Sequence, residues 1–175
     1  MLFDRELNNS HSGNISQRSR GSIFITATGS MLSKVNPRQV IRVGLTVDSI
    51  RDQRASMELV VHRAIYNAHP HVNAIIHAHC PYSVAMAEGR TTIVPHDDEG
   101  KYYFSSIPIL NLENSIGSID VANQIPFLFK DSPVAILNRH GVFAVGKSLE
   151  EALKNITVVE SVCKINYLLE TRHAA

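Results

Sequence analysis

Cysteine is scarce in this chain of 175 residues: Cys80 and Cys163 are the two it has, too few for a disulfide framework. That usage fits a reducing, cytoplasmic setting. A charge excess is missing too. The formal net charge is +1, with no basic block and no acidic tail, which argues against nucleic acid or a charged membrane as the main partner. No apolar run approaches the roughly 20 residues of a membrane-spanning helix. The first residues carry Asp4 and Glu6 early and have no long apolar segment, so no signal peptide is expected. Repeats, low-complexity tracts and linkers are also wanting. The expectation is therefore one domain over 1–175, large enough to bury a core unaided. Histidine, by contrast, is plentiful: there are nine, several of them between Glu58 and His79.

The hydrophobic pattern mixes strands and helices without regular alternation. Candidate strands follow Gly13, cover 22–26, 40–45, 72–77 and 107–110, and form two apolar runs, 134–137 and 142–145, around a tight turn at Asn138-Arg139-His140-Gly141. Asn36-Pro37-Arg38-Gln39 reads as a capped helical turn. The spacing of Met57, Val60, Val61, Ala64, Ile65 and Ala68 predicts a helix over 56–68 with that stripe buried. Further helices are expected at 81–88 and at 117–129, where Pro126 kinks or ends the segment. A last helix opens at Ser148-Leu149-Glu150-Glu151, a capping box, and has Leu149, Ala152, Leu153, Ile156, Val159 and Cys163 as its stripe. The stretch 93–100 reads as a loop. The fold class is α/β, a mixed and largely antiparallel sheet covered by helices.

Ile75-Ile76-His77-Ala78-His79 carries the first chemical signal. On a strand, histidines at i and i+2 point to one face, and neutral imidazole nitrogens suit Zn²⁺ and similar ions. His140, at the end of an apolar strand, would complete a three-histidine set with an open position, the arrangement of a catalytic metal site; a plain turn histidine is the alternative. Cys80 would face away from this set and reads as core. Glu58 is either a solvated helix carboxylate or an acid/base and displaceable ligand. His62, four residues on, is either its partner or a surface histidine. Ser12-Gly13-Asn14 and Thr28-Gly29-Ser30 have the make-up of an anion cradle, although turn chemistry accounts for such residues as well.

Taken together and in this order, the motifs resemble the class II aldolase/adducin family, of the L-fuculose-1-phosphate aldolase type. Ser12-Gly13-Asn14-Ile15-Ser16 and Ile25-Thr26-Ala27-Thr28-Gly29 are similar to its two phosphate loops. Ser56-Met57-Glu58 stands where the family has a serine pair and its catalytic glutamate. Ile75–His79 and Asn138-Arg139-His140-Gly141 match the zinc-binding segments, and Gly146-Lys147-Ser148-Leu149-Glu150-Glu151-Ala152 the helix start that follows. The resemblance covers nearly the whole chain.

It implies Zn²⁺ held by His77, His79 and His140, with Glu58 as acid/base and as a ligand when substrate is away. It implies that Asn14, Thr28, Gly29 and Ser56 hold a substrate phosphate, and that the protein is a homotetramer with active sites at subunit interfaces. The chemistry follows: cleavage beside a ketone leaves an enediolate, which a Lewis-acid metal stabilises and a carboxylate protonates. Three departures are expected to matter. Met57 replaces the second serine, the segment before Gly13 is short, and no tail bearing the family's catalytic tyrosine follows Ala175. Asp98 falls near the position of another aldolase tyrosine and is closer in kind to a sugar-phosphate 4-epimerase. The expected activity is cleavage of a ketose 1-phosphate to dihydroxyacetone phosphate and an aldehyde. Alternatives on the same fold are a pentulose-phosphate epimerase, a ribulose-phosphate-type dehydratase and a non-catalytic adducin-like module.

Overall fold

The computed structural model describes residues 2–48 and 50–173, the last without its side chain. The two ends of the chain, Met1 and Ala174-Ala175, on which the expectations about its length turn, lie outside the described residues. Eight strands form one sheet: β1 (Asn14–Ser19), β2 (Ser22–Thr26), β3 (Val40–Gly44), β4 (Ala74–Ala78), β5 (Thr92–Ile93), β6 (Ile107–Leu110), β7 (Val134–Leu137) and β8 (Gly141–Gly146). Their order is β3-β2-β1-β4-β8-β7-β6-β5. Every pairing is antiparallel except β6 with β7. Five α-helices accompany them: α1 (Leu59–Ala68), α2 (Pro81–Ala87), α3 (Asp98–Tyr103), α4 (Ile119–Gln124) and α5 (Leu149–His173).

Alternation along β4 sorts the core into two layers. Ala74, Ile76 and Ala78 pack with α2 and α5 on one face, through Met86, Ile156, Val159 and Cys163. Ile75 packs on the other face with α1 and α4, through Val61, Ile65 and Val121, beside Phe143 of β8. All five residues of β4 are buried, as in a central strand covered on both sides. The expected mixed sheet with helices on both faces is the observed architecture. No helix among the described residues is long and apolar enough to cross a membrane.

Several local expectations are met. Asn36 and Gln39 cap a 3₁₀ turn reciprocally, and Ser148 Oγ accepts from Glu151 N at the start of α5. Both cysteines are free and buried.

Three helix boundaries differ from the pattern reading. α1 begins at Leu59, not at Ser56, because Ser56 N donates to Thr26 O at 3.0 Å and ties that residue to the sheet. The expected stripe is only half right: Met57 is 68% exposed and Ala68 is exposed, whereas Leu59, His62 and Tyr66 are buried. Met57, Val60 and Ala64 instead line an open groove of about 750 Å³ shared with Ile119. Over 117–129, Gly117 (φ +55°) stays outside the helix, Ser118 caps α4, and Pro126 falls in a separate 3₁₀ segment, Ile125–Lys130. Within the expected loop at 93–100, α3 starts at Asp98, capped by the Asp97 side chain on Gly100 N.

The connection from α1 to β4 is held by one side chain. The Arg18 guanidinium donates to Tyr66 O (2.9 Å) and His69 O (3.1 Å), and also to the carbonyls of Pro70 and Val72. Arg18→Met leaves these acceptors without a charged donor and is expected to cost about 2–3 kcal/mol, read as a lower urea midpoint.

Candidate metal centre and active site

The site is built at one end of the central strands. Asn14 of β1 lies opposite His77 of β4, and His77 lies opposite Phe143 of β8. His79 follows just past the end of β4 on the same face as His77. On the other side, His140 N donates to Leu137 O at 3.1 Å, closing a turn in which Arg139 takes a left-handed φ of +61°. This turn delivers His140 to the rings from β4.

His77 Nε2 lies 3.1 Å from His79 Nε2 and 3.2 Å from His140 Nε2. His77 Nδ1 donates to Val142 O (3.0 Å) and His140 Nδ1 to Ser115 O (3.1 Å). In neutral rings those bonds leave Nε2 with the lone pair. Burial first, and then mutual repulsion with its two neighbours, holds His77 well below the ordinary imidazole pKa. Burial likewise lowers His79, and burial with the His79 charge lowers His140 to about 4.

His77 and His140 are therefore neutral rings whose Nε2 lone pairs face each other, with His79 Nε2 beside them. Two nitrogen ligands at 2.0–2.1 Å from a tetrahedral ion stand about 3.3–3.4 Å apart. The donor set fits a divalent cation.

The three histidine nitrogens form a group within 4.8 Å, and that group does not include Glu58. The expected extra ligand lines the same cleft but is held elsewhere: Glu58 Oε1 accepts from Gly117 N at 2.7 Å. Its Oε2 is buried and has no partner among the described residues. Glu58 is 4% exposed, standing just before α1, so the solvated-carboxylate alternative is overturned. Burial raises its pKa, with the Gly117 N–H opposing.

The remaining expected residues share this cleft of about 160 Å³: Asn14, Thr28, Gly29 and Ser56 all line it. Asn14 and Ser56 are buried, while Thr28 and Gly29 are exposed at the rim. Gly29 takes φ +68°, which favours glycine.

His62 is not a surface residue; its backbone N–H donates to Glu58 O at 3.1 Å, while its ring bonds Ser16 and Asn14 rather than the Glu58 carboxylate. It is fully buried between Asn14 and Ser16, and burial lowers its pKa to about 3. Asp98 is exposed, 4.0 Å from Lys101, and is not among the residues lining the cleft.

The pattern reading missed three contributors. Asn8 Oδ1 accepts from His79 N at 2.7 Å; nothing in a polar turn announces that. Ser115 and Gly117 orient His140 and Glu58 from one loop. Ser30, part of the expected Thr28-Gly29-Ser30 cradle, does line the cleft, its Oγ buried without a partner among the described residues.

Gly141 makes a checkable demand on the site. A Cβ there would stand 2.4 Å from Ala78 O and 3.1 Å from His77 Cε1. Gly141→Ala must push β8 from β4 and displace His77, so metal per chain, read by elemental analysis, is expected to fall several-fold.

Residues 1–167 match the profile of the Class II Aldolase and Adducin N-terminal domain. The chain belongs to this family. An L-fuculose phosphate aldolase of Methanococcus maripaludis is 31% identical over 169 residues, 97% of this chain and 92% of its own length. The crystal structure of L-fuculose-1-phosphate aldolase from Thermus thermophilus superposes with a TM-score of 0.94 at 28% identity, covering 99% of this chain and 91% of that one. A 3-oxo-tetronate 4-phosphate decarboxylase of Escherichia coli is 25% identical over 157 residues, 87% of this chain and 74% of its own length. The class II aldolase fold thus carries more than one reaction among the relatives of this chain.

Proposed function

We propose that the protein is a zinc-dependent aldolase that cleaves a ketose 1-phosphate of the L-fuculose 1-phosphate type to dihydroxyacetone phosphate and a lactaldehyde-type aldehyde. The observation that carries this reading is the meeting, in one cleft, of three converging imidazole Nε2 atoms and a buried carboxylate oxygen with no partner among the described residues. His77, His79 and His140 would hold the ion, which supplies Lewis-acid stabilisation of the negative charge that carbon–carbon cleavage leaves on oxygen. The chain's own groups do the rest. Asn14, Thr28, Gly29 and Ser56 hold the phosphate, and its fixed position orients the reacting carbons. Glu58 Oε1 stays with Gly117 N, which aims Oε2 into the cleft. Oε2 carries the proton to and from the carbon of the dihydroxyacetone phosphate fragment. Burial raises the carboxyl pKa, which keeps the proton available nearer neutral pH.

In this reading the chain is a single class II aldolase-like domain of the cytoplasm that works as a homotetramer with sites at subunit interfaces. Support comes from Met57 and Ile116, both lining the cleft yet each 68% exposed, apolar surface that a neighbouring subunit would cover.

The test is incubation with L-fuculose 1-phosphate, with dihydroxyacetone phosphate measured enzymatically. Release that chelation abolishes supports the aldolase. Metal binding with no release from L-fuculose 1-phosphate, but with epimerisation or dehydration of a pentulose phosphate supplied in a parallel incubation, replaces it with the epimerase or dehydratase.

A further inference from the structure

Behind Asn14 runs a closed chain of buried polar groups that the proposed chemistry does not itself use. β1 presents Asn14 and Ser16 at i and i+2, and α1 presents His62 and Tyr66 at i and i+4, so the two pairs mesh. Tyr66 Oη lies 2.9 Å from Ser16 Oγ, Ser16 Oγ lies 2.6 Å from His62 Nδ1, and His62 Nε2 lies 2.6 Å from Asn14 Oδ1. We propose that Tyr66, Ser16 and His62 are positioning residues: their hydrogen bonds run one way and lock the Asn14 amide so that its NH₂ group donates to an anion in the cleft.

The direction follows from the closed end. Tyr66 is 1% exposed, and Ser16 is the only hydrogen-bond partner of its hydroxyl among the described residues. Burial pushes its phenol up to about 12, so it keeps its proton. That proton must go to Ser16 Oγ, since a buried donor is costly to leave unpaired. The Ser16 proton then goes to His62 Nδ1. A neutral ring with Nδ1 accepting carries its single proton on Nε2, and that proton goes to Asn14 Oδ1. The Asn14 oxygen is thereby committed, while Nδ2 has no acceptor among the described residues. The reversed array would strand the phenol proton and present a carbonyl to the cleft, which repels phosphate.

This inference rests on the reading of Asn14 as an anion holder, not on the identity of the sugar or of the metal. The test uses the intact zinc-loaded protein and two readouts that need no turnover. ¹⁵N NMR of the His62 ring at neutral pH is expected to show the neutral, Nε2-protonated tautomer. Titration with inorganic phosphate is expected to shift the Asn14 side-chain amide signal. His62→Gln keeps an N–H near the Nε2 position and is expected to bind phosphate within about twofold of wild type. His62→Asn reaches only toward Ser16 and is expected to bind about tenfold more weakly. A merely structural role would damage both variants alike.

An Nδ1-protonated or charged His62 in the wild type overturns the proposal, even where neither variant folds. Equal phosphate affinity in the two folded variants overturns it as well, as does a wild-type Asn14 amide that ignores phosphate. Failure of the aldolase reading would show separately, as absent sugar-phosphate cleavage with these signals intact.

Discussion

Glu58→Gln is expected to lower kcat by about 10²–10⁴-fold while leaving metal content unchanged and raising stability at neutral pH. Glutamine keeps a carbonyl for Gly117 N but can neither take nor give the proton. The stability change follows from burial. The folded-state pKa of Glu58 is raised above its ordinary value of 4.5. Below that value both states hold the proton and the group contributes no pH dependence. As pH rises above it, the unfolded chain releases a proton that the folded chain retains, so wild-type stability falls up to the folded pKa. Glutamine removes that loss. Metal-free Glu58→Gln should therefore melt above wild type at pH 7–8, with the difference shrinking toward pH 4. Unchanged kcat would remove Glu58 from proton transfer, and a melting gain that does not shrink on acidification would remove the charge argument.

Stripping the metal is expected to abolish turnover and to lower the melting temperature, both recovering on addition of Zn²⁺. The Nε2 lone pairs of His77 and His140 face each other at 3.2 Å, with His79 Nε2 3.1 Å from His77, and crowd one another when no cation sits among them. A ligand at a thousand times its Kd adds about 4 kcal/mol to the folded state, so the melting temperature should climb with free Zn²⁺. Acid should weaken the metal-free protein in a stated window. The folded pKa of His140 is about 4 and that of His62 about 3, against an ordinary 6.5. As pH falls below 6.5 the unfolded chain takes up protons that the folded chain refuses. The stability that these two rings contribute is thus full above about pH 6.5 and is lost progressively toward pH 4. It is opposite in sign to the Glu58 contribution, so the Glu58→Gln background shows it without that offset. A melting temperature flat across that range in that background would contradict the buried neutral rings.

The metal set was readable because strand geometry makes it so. A period-two His-x-His in a β-branched run and a histidine placed between two apolar strands leave few ways to arrange three rings. The two loops at Gly13 and Gly29, which line one cleft, and the helix start at Ser148 were legible for the same local reason. What long-range contacts decide was not legible. α1 looks amphipathic from Met57 because apolar residues lie on both sides of it, one side meeting the sheet and the other an open groove. The burial of Glu58 depends on Gly117, and the setting of His62 on Ser16; those partners lie 59 and 46 residues away. Asp98 was matched by spacing alone, and the short helix α3 carries it to the surface.

Metal stoichiometry coupled to cleavage tests the central claim most directly. The wild type and His77→Ala would be purified without added metal, analysed for zinc, and assayed for release of dihydroxyacetone phosphate from L-fuculose 1-phosphate. The account predicts about one zinc per wild-type chain, almost none in the variant, and release that follows zinc content. Undiminished release by zinc-free protein, or equal zinc in both proteins, would contradict it.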